Sequence, residues 1–523
     1  MVQIITPGDL GFDRNKFPEF RSGQLETSQE ASHSKKPLFT VEAPTGVGKS
    51  LMGMSTHKLM GGPRTAYLVS TKQLQDQVER DFHIPTLKGR SNYPCLHFPK
   101  LFPEVTSEIC KDYLGDDDCS FASDCPYMKQ KRTALASPAC VLNYPLFLTE
   151  ANYVGGFSKM GLLILDEVDT VEDHLMKFIE ITIPGYLIQR LSLGSPKHKT
   201  KVDAWKEWGG EVSSKIKASL GRMGDPKGMD PPHLRAFSRL RKSLRKVEYL
   251  VEKTGGDWVM EEGKDKRGGG ISFKPVKVDC YSQDYLWRHT TFSLGLSATI
   301  MGAQAMAIDL GLHSWDVEGV SMPSPFPVES RLVNYIPVAN LTHKTKESSY
   351  PKVAKAIEAI LEKHQKEKVL IHAVSYDLRN FIVDCIRPNS HKLMTHDRES
   401  RVKVLEEFKA FSGPAALVSP SMERGVDLPG DLCRVIIVAK VPYPNLVDPQ
   451  VSKRLHGFSD GSLWYARRTA RSLVQMTGRA TRFLGDWSTS YILDEQFGQL
   501  VGRNGGIFPG WWRESVKDGL GSL

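Results

Sequence analysis

The sequence predicts an α/β protein with two separate parallel sheets. Three observations carry that expectation. The chain is 523 residues long, more than one hydrophobic core usually accommodates. Apolar runs such as Leu162–Leu165 and Val435–Val438 have the length of fully buried strands. Around them the pattern alternates strand, turn and helix in two stretches, one opening near Pro37 and one near Arg331, as parallel sheets require.

Composition narrows the class. With 40% hydrophobic and 25% charged residues, the chain reads as globular. No apolar run approaches the roughly 20 residues of a membrane span, so no membrane contact is expected. Met1 to Arg14 lacks a basic region followed by an apolar stretch, so no secretory signal is expected. A cytoplasmic, reducing setting follows, and the eight cysteines read as ligands or core residues rather than disulfides. The net charge of +9 is concentrated: Arg190 to Val278 holds 21 Lys and Arg against 11 Asp and Glu, while the rest is close to neutral. One basic segment on a neutral body suggests a polyanion contact. A solvated lysine-rich face is the alternative.

In chain order, Pro37 to Glu42 reads as a strand, Ser50 to Leu59 as a helix, Thr65 to Ser70 as a strand and Thr71 to Phe82 as a helix. Gly89 to Cys140 interrupts this with five cysteines and an acidic turn, and reads as an inserted unit. Sheet resumes at Val141 and again at Gly161 to Leu165. Leu175 to Tyr281 reads as helical. In it, Leu234, Phe237, Leu240, Leu244, Val247 and Val251 fall at steps of three and four, the stripe of an amphipathic helix. Val202, Trp205, Val212, Ile216 and Leu220 form a partner stripe interrupted by Gly209-Gly210. Thr291 to Thr299 returns to sheet. The second unit has strands at Lys368–Ala373, Ala415–Val418, Arg434–Ala439 and Ser490–Leu493.

The chemistry sits at the turns. Ala43-Pro44-Thr45-Gly46-Val47-Gly48-Lys49-Ser50 lies between a strand and a helix. Its glycines let backbone N–H groups wrap phosphate oxygens at a helix N-terminus. Lys49 is placed for the β- and γ-phosphates and Ser50 for Mg²⁺. Asp166-Glu167-Val168-Asp169 ends an apolar strand. A carboxylate at a parallel strand's carboxyl end faces the ligand crevice, so Asp166 is expected to hold Mg²⁺ and Glu167 to activate the attacking water. Ser297-Ala298-Thr299 ends another strand, where small hydroxyl residues can couple nucleotide state to a neighbour. Gln475-Met476-Thr477-Gly478-Arg479-Ala480-Thr481-Arg482 is read as helical. Its arginines, three apart, share a face and suit arginine fingers, with Gln475 beside them. Gly425-Val426-Asp427 follows the strand Ala415–Val418.

These elements in this order resemble superfamily 2 helicases. Arg21-Ser22-Gly23-Gln24, Ser70-Thr71-Lys72-Gln73-Leu74-Gln75-Asp76-Gln77, Gly89-Arg90-Ser91-Asn92-Tyr93-Pro94-Cys95, Asn143-Tyr144, Glu423 to Gly430 and Val441-Pro442-Tyr443-Pro444 resemble the XPD/DinG family across nearly the whole chain. The sequence departs from the family pattern twice: Asp-Glu-Val-Asp stands where many members have Asp-Glu-Ala-His, and Asp494-Glu495-Gln496-Phe497 replaces Asp-Arg-x-Phe. The resemblance implies two RecA-like P-loop motor domains, the first carrying an iron–sulfur insert and a helical arch. The expected boundaries are 1–90, 141–174 and 281–328 for the first motor domain, 91–140 for the cluster insert, 175–280 for the arch and 329–523 for the second motor domain. It implies Gln24, Gly425 and Asp427 at the ATP site and Cys95, Cys110, Cys119 and Cys125 as ligands of a [4Fe–4S] cluster. Thiolate ligation alone suits zinc as well. Cys140, Cys280, Cys385 and Cys433 read as core residues.

The expected activity is ATP-dependent translocation on single-stranded DNA with duplex unwinding, 5′→3′ by resemblance. Forked DNA is the expected substrate and a monomer the working form, in a bacterial cell or phage-infected host. Arg239, Arg241, Lys242, Arg245 and Lys246 are expected to face outward from the basic helix and hold strand phosphates. A translocase on RNA or protein-bound DNA that does not separate strands is the second reading. A phosphate-loop kinase or ATPase switch is the third, and it has no need of Arg479 and Arg482 in a second α/β unit.

Overall fold

The computed structural model describes residues 5–98, 104–109, 119–263, 269–342, 344–422, 428–478 and 485–518. The first unit opens with β1 (Leu38–Glu42), β2 (Thr65–Val69), β3 (Ala139–Asn143) and β4 (Leu162–Asp166). A side module follows with β5 (Ile181–Ile183), β6 (Trp258–Glu262) and β7 (Ile271–Pro275), after which β8 (Ser293–Ser297) and β9 (Val317–Ser321) return to the first sheet. The second unit contains β10 (Arg331–Ala339), β11 (Val369–His372), β12 (Lys392–Thr395), β13 (Ala415–Ser419), β14 (Val435–Val438), β15 (Ser488–Asp494) and β16 (Val516–Asp518).

The first sheet runs β3-β2-β4-β8-β1-β9 and the second β12-β13-β11-β14-β15-β10-β16. Every pairing in both is parallel. The protein is therefore α/β with two parallel sheets. Helices cover both faces, which is why β2, β4, β8, β11, β13 and β14 are buried at every residue, and why β4 and β14 read as apolar runs rather than alternating ones. The order places β4, β8 and β1 side by side, so their carboxyl ends open on one crevice.

The segment expected to be helical, Leu175 to Tyr281, is mixed. Two long helices, Val202–Met223 and Pro231–Lys253, pack on each other. They are joined by an antiparallel sheet ordered β5-β7-β6. Strand β7 alternates buried and half-buried residues, a period-two pattern too short to stand out in the sequence. The glycine pair expected to interrupt the first helix does not break it. A Cβ on Gly209 would stand 2.9 Å from Val251 Cγ2 and 3.3 Å from Leu250 Cδ2. The glycine lets the helices approach closely, and that packing offsets the roughly 1 kcal/mol helix penalty of glycine. Two of the cysteines expected in the core, Cys280 and Cys385, are exposed. Each lies in a short helix at a solvent-facing position. Cys140 and Cys433 are buried, and burial pushes the Cys140 thiol up to about 12.

Candidate active site

The loop from Ala43 to Ser50 connects β1 to the helix Lys49–Leu59. Its bend rests on Gly46 and Gly48, with φ of 82° and 88°, a region that favours glycine. At Gly48 a Cβ would also stand 2.4 Å from Gln24 Nε2. Gln24 is buried. Its amide donates to the Val47 carbonyl, and its Oε1 accepts from Arg21 N at 2.7 Å. Arg21 donates to the Gly46 carbonyl. Gln24 thus braces the back of the loop. The Lys49 ammonium donates to the carbonyls of Ala43 and Pro44 at 3.0 and 3.1 Å, which holds it across the turn.

Asp166 ends β4, the second neighbour of β1 in the sheet. Its carboxylate accepts from Tyr67 Oη at 3.2 Å and from Glu167 N at 3.0 Å. Burial and the adjacent Glu167 carboxylate raise its pKa to about 6, against the opposing pull of Lys49. Ser50 lies beside the same Tyr67 hydroxyl, so the two expected Mg²⁺ positions flank one phenol. Glu167 takes a left-handed φ of 53°, costly for a residue with a Cβ. Its exposed carboxylate accepts from Ser70 Oγ. The strained turn therefore sends consecutive carboxylates into different environments, one buried near Lys49 and one in solvent.

Asp169 joins the two sheets. It is 2% exposed. Its Oδ1 accepts from Ser297 Oγ at 2.6 Å and its Oδ2 from Gln475 Nε2 at 3.0 Å. Gln475 Nε2 also donates to Thr299 Oγ1 at 3.1 Å. The helix Gly461–Thr477 supplies Gln475, and Thr45 of the phosphate loop donates to the Gly478 carbonyl at 3.4 Å. Arg479 and Arg482 come after this point and lie outside the described residues, as do Gly425 and Asp427.

Sequence reasoning missed a row of buried and half-buried ion pairs along this helix. Arg467 pairs with Asp309. Arg468 pairs with Asp173 at 2.7 Å and Glu172 at 3.5 Å. Arg471 donates to the Asp169 carbonyl at 2.8 Å. The signal was present as three arginines within five positions ahead of Gln475, but their carboxylate partners lie far away in sequence.

Of the four cysteine candidates, Cys95 and Cys125 are buried and Cys119 is partly exposed, while Cys110 lies outside the described residues. Cys95 and Cys125 approach one short turn. Cys95 N donates to the Val105 carbonyl at 2.9 Å, and Ser107 Oγ lies 3.8 Å from Cys125 Sγ. Among the described residues, no group of three or more His, Cys, Asp or Glu is placed to hold a metal. On the helix Pro231–Lys253, Arg239, Lys242, Arg245 and Lys246 are exposed and Arg241 is half-buried. Lys242 is not a free outward cation: it pairs with Glu108 at 3.1 Å.

Residues 357–515 match the family model of a helicase C-terminal domain. A probable ATP-dependent helicase of Methanocaldococcus jannaschii is 22% identical, over 94% of this chain and 94% of its own. The ATP-dependent DNA helicase YoaA of Haemophilus influenzae is 22% identical, over 93% and 92%. Among solved structures, an XPD helicase superposes with a TM-score of 0.64 at 15% identity, over 96% of this chain and all of that one. The chain is thus similar to helicases over nearly its whole length and shares the fold of an XPD helicase. The phrase Asn143-Tyr144 braces the Asp166 turn: Tyr144 Oη donates to the Asp166 carbonyl at 2.8 Å. Asn143 caps the helix Tyr144–Thr149 and donates to Gln75 Oε1 at 3.1 Å.

Proposed function

We infer that the chain is an ATP-dependent DNA helicase that moves along single-stranded DNA and couples hydrolysis to strand separation. One observation carries this reading. The phosphate loop, Asp166–Asp169 and Ser297–Thr299 stand at neighbouring strand ends of one sheet, and Gln475 of the other unit closes on them. A kinase needs no second α/β unit at that position. The curated relatives named ATP-dependent DNA helicases, YoaA among them, support DNA as the track. The family resemblance supports 5′→3′ movement by a monomer on forked DNA.

In this reading the amides of Thr45 to Lys49 and the Lys49 ammonium bind the ATP phosphates, with Gln24 bracing the loop. Ser50 and Asp166 hold Mg²⁺, and Glu167 orients and deprotonates the attacking water. Gln475, Arg479 and Arg482 meet the γ-phosphate from the second motor domain, Gly478 already touching Thr45. Gly425 and Asp427 complete the ATP site. Cys95, Cys110, Cys119 and Cys125 would hold a [4Fe–4S] cluster, and the two buried thiols beside the Ser107 turn fit a thiolate site. When bound, the cluster supplies a rigid brace for the insert. The two long helices form the arch. Its residues Leu234 and Met229 pack with Cys95, Val105 and Ile109, and the Lys242–Glu108 pair adds a second tie. Both contacts support a ring through which one strand passes.

The test is ATP turnover with and without single-stranded DNA, together with unwinding of a fork carrying a 5′ tail. DNA should stimulate turnover, and Lys49→Ala should abolish it while the protein stays folded. Stimulated turnover with no strand separation on any fork would replace this reading with a translocase. Turnover indifferent to nucleic acid would sink it.

A further inference from the structure

The fourth position of the magnesium motif is an aspartate, and its surroundings explain how a charged side chain is tolerated there. A buried carboxylate must be matched by donors or a cation. Ser297 and Gln475 supply the donors, and Arg471 supplies the cation, its Nε 3.8 Å from Asp169 Oδ2 and its Nη1 on the Asp169 carbonyl at 2.8 Å. Arg471 is 6% exposed. It stands one helical turn before Gln475, on the helix that leads through Gly478 to the expected fingers. Arg467 and Arg468 tie the same helix to Asp309, Glu172 and Asp173. Of these three arginines, only Arg471 grips the residue that also holds Ser297 and Gln475.

We propose that Arg471 is a positioning residue for ATP hydrolysis, fixing the register of the helix Gly461–Thr477 against the Asp166–Asp169 turn. The proposal rests on the helicase reading above. A small slide of this helix would carry Gln475 off both Asp169 and Thr299. The planar guanidinium reaches the carbonyl and the carboxylate of Asp169 together, which a lysine ammonium does not do as well.

The experiment measures DNA-stimulated ATP hydrolysis by the full chain in Arg471→Gln, Asp169→Asn and the double variant. Each single change should lower kcat about 10- to 100-fold, the cost of a misplaced catalytic group, with the KM for ATP held within about threefold. The double variant should be no slower than the slower single one, because both changes break the same interaction. Arg471→Lys, which keeps the buried charge, should fold and give an intermediate kcat, and it carries the test if Arg471→Gln does not fold. Losses that multiply in the double variant, or equal losses in kcat and in ATP affinity, would overturn the proposal. So would a kcat within about twofold of the parent for Arg471→Gln. A parent that shows no DNA-stimulated turnover sinks the helicase reading and this proposal together, whereas a stimulated parent with an indifferent Arg471→Gln sinks the positioning role alone.

Discussion

Glu167 shows how one backbone angle divides labour between neighbouring carboxylates. Its left-handed φ of 53° places it in solvent while Asp166 stays buried beside Tyr67. Removing the Glu167 charge should therefore leave the Mg²⁺ and nucleotide sites intact. Glu167→Gln should bind ATP and Mg²⁺ with near-parental affinity and fall by about 10²-fold or more in turnover, the low end for a lost general base. Equilibrium binding of a fluorescent nucleotide set beside steady-state turnover checks this, and loss of binding would show that Glu167 is not the base. The Asp-Glu pair was legible in the sequence because a strand and its terminal carboxylate are adjacent residues. The environment that separates the two depends on Tyr67, Ser70 and Tyr144, which reach it from elsewhere in the chain.

Helices and strands were readable where their period was long and unlike its neighbours. The stripe from Leu234 to Val251 sits on the helix Pro231–Lys253, with Leu234, Leu240 and Val247 buried and Phe237 and Leu244 partly so. Strands β5, β6 and β7 escaped notice because three to five residues carry too little alternation to compete with the helices around them. On the helix, neutralising Arg239, Arg241, Lys242, Arg245 and Lys246 together should weaken single-strand binding and flatten its salt dependence. The log–log slope should fall by roughly 0.7 for each strand phosphate that the protein no longer neutralises. Lys242 is already paired with Glu108, so it should contribute less than its exposed neighbours. Titrations from about 50 to 200 mM salt span the range where counterion release is large. An unchanged slope would make this face a solvated surface.

At the scale of the molecule, the two parallel units meet at Asp169 and Gln475, and the segment around Cys95 is tied to the helix Pro231–Lys253. In the proposed function, the shared packing of Leu234 with Cys95, Val105 and Ile109 makes the proposed cluster insert and the proposed arch mechanically dependent. Cysteine-to-serine changes at 95, 110, 119 and 125 should each cost cluster absorbance and unwinding together, with ATP turnover affected less, because none of the four lies in the phosphate loop or the Asp166 turn. Iron and sulfide analysis of anaerobically purified protein, with a fork assay, checks this. A colourless, zinc-containing, fully active protein would refute the cluster. Cys140→Ser should keep the absorbance, since Cys140 is on buried β3 and bonds the Thr65 carbonyl.

The sequence by itself determined what depends on neighbouring residues: the phosphate loop, whose glycines must enter the left-handed region, the carboxylates at strand ends, and the apolar periodicity that separates two parallel sheets. Tertiary structure decided what depends on residues brought together from afar. Gly209 became a close helix contact only once Val251 and Leu250 were opposite it. Asp169 acquired its place only when Arg471, 302 positions away, arrived on the second unit's helix. Burial of a charge fixes that a partner must exist, but folding selects which of the chain's arginines it will be.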